Sequence, residues 1–509
     1  MIKYIYIVGL IVCLSTALPH AVHGHVGSPN VFYEGDAGPY QVRVVIRPPT
    51  AIPGLAEVNV TVEGDDIQQV GVLPALANVA DNSLPPADPA NVVPGIPHLY
   101  SAEVWIMEQG TYAIRIRVQG GQGAGEAVVP MNAFSQAPAE MAGWIQISLV
   151  FLGLVLVLGF AVIASTAIKE SGLRPGIDPS PTQMPRLTGS IAALLGLLAA
   201  YAMWTAWEQM DRAYRNNELF KPMPITTVTN LVGGRDRLVR ITPASNDRGN
   251  QSWPKLVTDH GKLMHAFLIR EPDLDVFAHV HPAFTPAGNF MLTTPPLPAG
   301  DYRLYGDITD ESGLSQTVTD WLILPALKPD APPIPEIARL KPDLDDSWHQ
   351  AEPFSGPVQE PTTTANLQNG YRMVWDNPEV AQNPGESALK FTVLDPVSQP
   401  ARLMPYMGML GHTAVRRDDG AVFAHLHPVG SISMASQEIF QKKEGTASKT
   451  MAEGMDHSTH MMGDETAAPN NQLAFPFAFP QTGSYRIWVQ VKIGEMVMTA
   501  VFDTEVGAI

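Results

Sequence analysis

The sequence predicts a mainly β chain, with three two-sheet sandwiches joined to two membrane-crossing helices behind a leader peptide. Three observations carry that prediction. Short alternating stretches rich in β-branched and aromatic residues recur between turns supplied by 46 prolines and 42 glycines. Two long apolar runs interrupt them. One closing device appears three times, as Gly110, Tyr112 and Ile114, as Gly300, Tyr302 and Leu304, and as Gly483, Tyr485 and Ile487. A turn glycine followed by an inward tyrosine recurs in immunoglobulin-like sandwiches, so the three units are expected to be immunoglobulin-like or cupredoxin-like.

Residues 1–24 have the charged start and short apolar centre of a secretory signal peptide. Cleavage after Ala17, Ala21 or Gly24 fits that reading. The last would expose His25, whose amine and ring nitrogen together make a bidentate copper ligand; processing upstream would leave His25 an ordinary chain residue. The first sandwich occupies 25–135, with strands expected at 40–46, 56–62, 100–107 and 111–118. Residues 144–168 and 187–207 are each long and apolar enough to cross a hydrocarbon core of ~30 Å as helices. Their connection, 169–186, carries Lys169, Arg174 and Arg186, so the positive-inside bias puts it in the cytoplasm and both large flanks outside. Trp144, Trp204 and Trp207 stand where interface anchors are expected. Neither span holds an ionisable residue, so a proton or ion path through them has no support. The second and third sandwiches occupy 226–325 and 370–507. Between them, 326–365 reads as an extended or irregular Pro-rich linker, and 437–471 as a low-order insertion in the third sandwich.

Two segments repeat one pattern. Each has a histidine (His265, His412), an apolar run, a charged turn, a second run, and then Phe-Ala-His-x-His-Pro, which ends at Pro282 and Pro428. These read as β-hairpins, and side chains two apart on a strand share a face. His279 and His281 therefore point one way, as do His425 and His427. His412 joins its pair if it lies opposite His425 or His427, which needs a turn centred on Asp418 and Asp419 or on Asp419 and Gly420. The same parity brings His265 to His279 and His281. Two separate three-imidazole clusters are expected, donor sets that suit copper and zinc. A single His-x-His on an exposed strand is usually a solvated pair, and a one-residue slip would split each triad across its sheet. Repetition of all three positions favours metal.

Within the insertion, Met451, Met455, His457, His460, Met461 and Met462 mix thioethers, which suit Cu(I), with imidazoles, which suit Cu(II) or Cu(I). Met404, Met407 and Met409 precede His412, and His260 precedes His265 by the spacing that separates Met407 from His412. These could be extra ligands, but a Met stripe near a strand is more often packing, and core packing is the favoured reading. The single cysteine, Cys13, lies in the leader. Disulfides, haem attachment through Cys-x-x-Cys-His, thiolate zinc sites and cysteine-ligated copper are thereby excluded from the remainder. A formal charge of −18 argues against nucleic-acid partners and suits cations.

At these residues the chain resembles periplasmic copper-handling modules. The hairpin from Leu263 to Pro282, with its copy through His425, His427 and Pro428, is similar to YtkA-like and related secreted heavy-metal-binding families. His25 to Pro29, with Gly38, Tyr40 and Val44 to Pro49, is similar to membrane-bound proteins that carry a YtkA-like or FixH-like domain before their helices. Met455, His457, His460 and Met461 are similar to the Met/His copper loops of bacterial copper-resistance proteins. An N-terminal His25 is similar to that of CopC-like carriers, although their further ligand motif is not evident here. The order sandwich, two helices, sandwich is similar to the copper subunit of particulate methane monooxygenase in architecture alone. Together these cover roughly half the chain. They imply β-sandwich folds and metal association, often without an established activity. The expectation is a membrane-anchored extracytoplasmic protein that binds copper for buffering, resistance or delivery, with zinc as the other candidate ion. Periplasmic copper proteins are its expected partners, and no enzymatic step is required. The alternatives are a copper-dependent oxidoreductase or its subunit, and an immunoglobulin-like assembly scaffold.

Overall fold

Alternation in the sequence becomes alternation in burial. In the strand Tyr40–Arg47, Tyr40, Val42, Val44 and Ile46 turn inward, while Gln41 is exposed and Arg43 and Arg47 are partly so. The computed structural model describes residues 30–64, 66–76, 85–138, 141–171, 173–174, 176, 184–244, 252–328, 330, 340–381, 388–443 and 470–507. The leader, His25 and the Met/His stretch with Met455, His457, His460, Met461 and Met462 lie outside the described residues.

The described chain is mainly β, in six antiparallel sheets. Val31–Ala37, Tyr40–Arg47, Gly54–Val62, Leu99–Ile106 and Asn91–Val92 form one sheet. It shares a core of Val44, Val58, Val104, Val72 and Ile116 with the sheet of Asp88–Pro89, Ile67–Leu76, Gly110–Gly120 and Gly123–Ala133. Two helices follow. Gly143–Glu170 and Met184–Asn217 are long and apolar enough to cross a membrane. Small residues let them approach: a Cβ added at Gly189 would lie 3.2 Å from the Ser165 Cβ, and one at Gly196 would lie 3.3 Å from the Val157 methyls. The second helix outruns the expected span. It continues to Asn217 through the ion pairs Glu208–Arg212 and Asp211–Arg215, which give that polar end i,i+4 support.

Beyond the helices, the sheet of Ile225–Val232, Asp236–Pro243, Phe290–Thr293 and Ala283–Phe284 packs on a six-stranded sheet. The latter contains Leu256–Val257, Gly300–Asp310, His265–Glu271, Val276–Val280, Ser347–Gln350 and Ser315–Leu324. Thr364–Asn366, Arg372–Trp375, Ala388–Leu394 and Gln472–Pro476 pack in the same way on Phe423–Leu426, Gly411–Arg417, Gly483–Ile493 and Met496–Val506. The repeated tyrosine has one role throughout. Tyr112, Tyr302 and Tyr485 each donate a hydroxyl hydrogen bond to the carbonyl four residues upstream, on Glu108, Pro298 and Gln481, at 2.9, 2.9 and 2.8 Å.

The two histidine-bearing sheets also meet each other, so both are covered on both faces. Phe267, Ile269, Phe277 and Tyr305 pack against Ala414, Phe423 and Trp488. Phe277 stacks on Trp488 at 4.9 Å and Tyr305 on Phe423 at 4.0 Å between ring centroids. This explains why the hairpin runs are continuously apolar rather than alternating. One end of the interface is closed by charge. Arg416 pairs with Glu271, and Arg486 with Asp503 at 2.6 Å. The histidines occupy the other end.

Two expectations need correction. The region read as an irregular linker contributes the strand Ser347–Gln350, which pairs antiparallel with Val276–Val280. It satisfies the backbone of an otherwise open edge, a demand that side-chain periodicity does not announce. The start of the region read as low-order is helical, Met434–Lys443. The Ser433 hydroxyl accepts the Ser436 amide hydrogen at 3.1 Å, and Ala435 and Phe440 are buried. Near this helix the N-terminal sheet pair touches the last one. Glu34 donates its amide to the Val429 carbonyl and Ser431 donates to that of Phe32. Gly430 is needed there, because it has φ 130° and a Cβ would fall 1.9 Å from the Phe32 oxygen.

Candidate metal centre

Register sets the imidazoles. Ala266 pairs with Val280 and Phe267 with His279, so the ladder continues to His265 opposite His281. Thr413 pairs with Leu426 and Ala414 with His425, so it continues to His412 opposite His427, across the turn at Asp419 and Gly420. Both hairpins thus put three histidines on one face, as the parity argument expects. That face is the one turned toward the other hairpin.

The expectation of two separate clusters is therefore overturned. Ring centroids of His265 and His425 lie 5.6 Å apart, those of His279 and His425 5.6 Å, and those of His279 and His412 6.1 Å. One chamber between two sheets holds all six. The reason is the apolar interface beside it, which seats Phe267 and Phe277 on Phe423 and Trp488 and carries the histidine ends of both hairpins together. A seventh imidazole, read from sequence as packing, also enters. His260, in the turn Asp259–Lys262, lies 5.0 Å from His427 and 5.7 Å from His412 between ring centroids.

Ligand atoms of His265, His279 and His281 lie within 4.8 Å of one another, and so do those of His260, His412 and His427. The second triad thus takes His260 where the sequence argument placed His425. His425 stands between the groups, with its ring centroid 4.5 Å from that of His427.

Outer partners fix the tautomers. His265 Nε2–H donates to the Asp259 carbonyl at 3.1 Å, which leaves Nδ1 as the lone-pair nitrogen. His279 Nδ1–H donates to Gln490 Oε1 at 2.9 Å, while the Gln490 amide nitrogen is engaged by the Ser347 hydroxyl. His279 Nε2 is then the lone-pair nitrogen. These two face each other at 3.2 Å in a fully buried site. Neither carries a proton to share. Two nitrogens bound to one ion at ~2.0 Å lie ~3.3 Å apart across a tetrahedral edge, so the pair has the spacing of two ligands to one cation.

His281 and His425 repeat the device. Their Nδ1–H groups donate to Asp346 Oδ1 at 3.0 Å and Asp307 Oδ2 at 3.1 Å, and their Nε2 atoms are buried with no partner among the described residues. His412 leaves both ring nitrogens in that state, while His260 Nε2 makes no hydrogen bond and lies 3.8 Å from Asp259 Oδ1. Burial, and then the neighbouring imidazoles, hold His265, His279, His412 and His427 well below the ordinary 6.5; burial lowers His260 too. The rings are neutral near pH 7, the form that binds metal. Asp343 and Asp346 also come within ligand range of His281. Asp343 is tied to Lys262 at 2.5 Å and Asp346 holds Nδ1–H, so both serve as outer partners.

Sequence reasoning missed Asp307 and Gln490. A signal existed: each lies seven residues after the glycine of its Gly-x-Tyr device, Gly300 or Gly483, and each pairs in register with a histidine, His265 or His412.

A domain family of unknown function, DUF8832, matches residues 364–508, the part that carries His412, His425 and His427. No curated protein matches the chain significantly. Among solved structures, the chain is similar to a protein from Corynebacterium diphtheriae assigned as membrane anchored, at 9% identity and TM-score 0.14, covering 94% of this chain and 96% of that one. It is also similar to SGBP-B of a xyloglucan utilization locus in Bacteroides uniformis, at 8% identity and TM-score 0.16, covering 93% and 98%. An endo-fucoidan hydrolase of glycoside hydrolase family 107 aligns at 10% identity and TM-score 0.14, covering 91% of this chain and 43% of that one. Scores this low carry no argument about fold or function.

Proposed function

We propose that this is a membrane-anchored extracytoplasmic protein that holds copper in the histidine chamber, one ion in each imidazole group, and serves copper buffering, resistance or delivery. The observation that carries this reading is the facing pair of lone-pair nitrogens on His265 and His279, 3.2 Å apart and fully buried, which calls for a cation between them. Neutral imidazoles with no thiolate suit copper and zinc alike, and divalent affinity peaks at copper. A methionine-bearing turn lies beside the chamber: a Cβ at Gly408, next to Met407, would stand 3.9 Å from His260 Nδ1.

The topology is part of the same proposal. Lys169, Arg174 and Arg186 favour a cytoplasmic connection between the two helices, with the β regions on the other side. The three hydroxyl bonds of Tyr112, Tyr302 and Tyr485 support reading each pair of sheets as an immunoglobulin-like or cupredoxin-like sandwich.

A second reading, a copper-dependent oxidoreductase or its subunit, is favoured by one observation. The chamber is closed between two sheets, with His265 and His412 each 1% exposed, which suits a resident ion better than one in transit.

The test is metal content of the purified full chain by elemental analysis after exhaustive desalting. The proposal expects about two copper equivalents, and removal of at least one by joint His265→Ala and His279→Ala substitution. Metal-free protein after copper loading, or equal content in that variant, would sink it.

A further inference from the structure

Two turns of one design meet at the edge of the chamber. Asp259–Lys262 leads into the first hairpin and Tyr406–Met409 into the second, and each is fastened within itself by a pair of backbone hydrogen bonds. Their central residues all have positive φ, 50° and 77° at His260 and Gly261, 51° and 80° at Met407 and Gly408, as in type I′ turns. The tips touch, since a Cβ on Gly408 would be in contact with the His260 ring. Gly261 and Gly408 are exposed, whereas Tyr406 and the rings of His265 and His412 are buried.

Each turn also grips the opposite sheets. Asp259 Oδ1 accepts the amide hydrogen of Ala435, on the helix Met434–Lys443 that follows the second hairpin, at 3.2 Å. The Tyr406 hydroxyl donates to the Asp345 carbonyl, just before the strand Ser347–Gln350 of the first hairpin's sheet, at 2.8 Å. The straps are reciprocal. His260 completes the pattern, because it comes from one turn while His412 and His427, the other members of its group, come from the opposite hairpin. His265, His279 and His281 all belong to one hairpin. Of the two imidazole groups, then, only the second spans the junction.

We infer that the paired turns are the gate through which copper enters and leaves, and that an ion held by His260, His412 and His427 latches it shut. The inference rests on the metal-binding reading and adds a route and an order to it: the first group fills through the open gate, and the second ion closes the gate behind it. Buried ligands cannot be loaded without a local opening. Parting the turns breaks the two strap hydrogen bonds, while the aromatic stacks in the middle of the junction and the Arg416–Glu271 pair at its far end stay in place.

Tyr406→Phe keeps the ring and removes one strap without touching a proposed ligand. Copper loading of the metal-free full chain is timed by stopped flow, and release is timed in excess chelator. Both should quicken by at least about fivefold in the variant, with copper content and affinity unchanged within about twofold, because a gate alters rates in both directions. Hydrogen exchange, read by mass spectrometry on peptides covering residues 256–264 and 403–411 of the wild-type chain, tests the latch even where the variant does not fold. The second copper equivalent, rather than the first, should slow exchange in both peptides by at least about tenfold. An unchanged loading rate in Tyr406→Phe, or turn exchange indifferent to the second equivalent, overturns the gate and leaves the metal reading standing. Failure of the wild-type chain to bind copper overturns both.

Discussion

The two histidine hairpins carry one sequence pattern in different surroundings. Around His265, His279 and His281, each ring has an outer partner: the Asp259 carbonyl, Gln490 and Asp346. The outer strand Val276–Val280 is itself covered by Ser347–Gln350. Around His412 and His427 there are fewer outer hydrogen bonds. Among the described residues His412 has no hydrogen-bond partner on either nitrogen, and the Phe423–Leu426 strand ends its sheet. The matching turns differ as well. Asp259–Lys262 carries His260 in left-handed conformation before a glycine, and Tyr406–Met409 carries Met407 at the same place. A duplicated hairpin has thus become one group in which every ring has its own outer partner and one that borrows a ligand from its neighbour. Outer partners raise ligand basicity and fix orientation, so the first group is expected to hold its ion more tightly.

His260→Ala should separate the two hairpins most strongly. If the hairpins were autonomous, the change would spare both ions. Borrowing predicts instead that the second-group ion is lost, by more than about 100-fold in affinity, while the first stays, since loss of an outer partner alone costs ~10–100-fold. Competition with a chelator of known affinity, run on the full chain, separates the two outcomes.

Asp346→Asn should act next most strongly. It weakens the fixing of His281 Nδ1–H and lowers first-group affinity by about 10-fold, within the range for outer partners. The second ion should be unaffected. Equal weakening of both ions would mean that the chamber responds as a single unit.

The smallest effect is on pH dependence. His265, His279, His412 and His427 have folded pKa values depressed below 6.5 by burial first and by one another second. The unfolded chain then binds more protons just below pH 6.5. Metal-free protein is therefore at full strength above that pH and loses stability as pH falls toward the depressed values. Its thermal midpoint should drop between pH 7.5 and 5.5, with a shallower slope in a joint His265→Gln, His412→Gln variant. A flat wild-type profile would contradict the burial of neutral rings.

Much of this was legible in the residues. The hairpins, the face shared by each histidine triad and the turn at Asp419 and Gly420 follow from a period of two and from turn chemistry. Both apolar helices were legible from length and composition alone. The joining of the triads was not, because periodicity tells which face a residue takes and not what that face meets. A hint lay in the unbroken run Ala266, Phe267, Leu268 and Ile269, whose burial on both sides required a second partner for the sheet. His260 was visible by its spacing from His265, but a single turn histidine carries no signal until the neighbouring hairpin is placed. Ser347–Gln350 was hidden for another reason: it is recruited by an open backbone edge rather than by an apolar pattern.

We propose that the seven imidazoles of one chamber hold two adjacent metal ions. Electron paramagnetic resonance during Cu(II) titration of the metal-free full chain tests it most directly. The first equivalent should give an isolated nitrogen-ligated signal. The second should bring spin–spin coupling, seen as broadening, a half-field transition or less intensity than two independent ions would give. Two equivalents with full-intensity, uncoupled signals would contradict the account, because ions held by these two groups are too close to ignore each other.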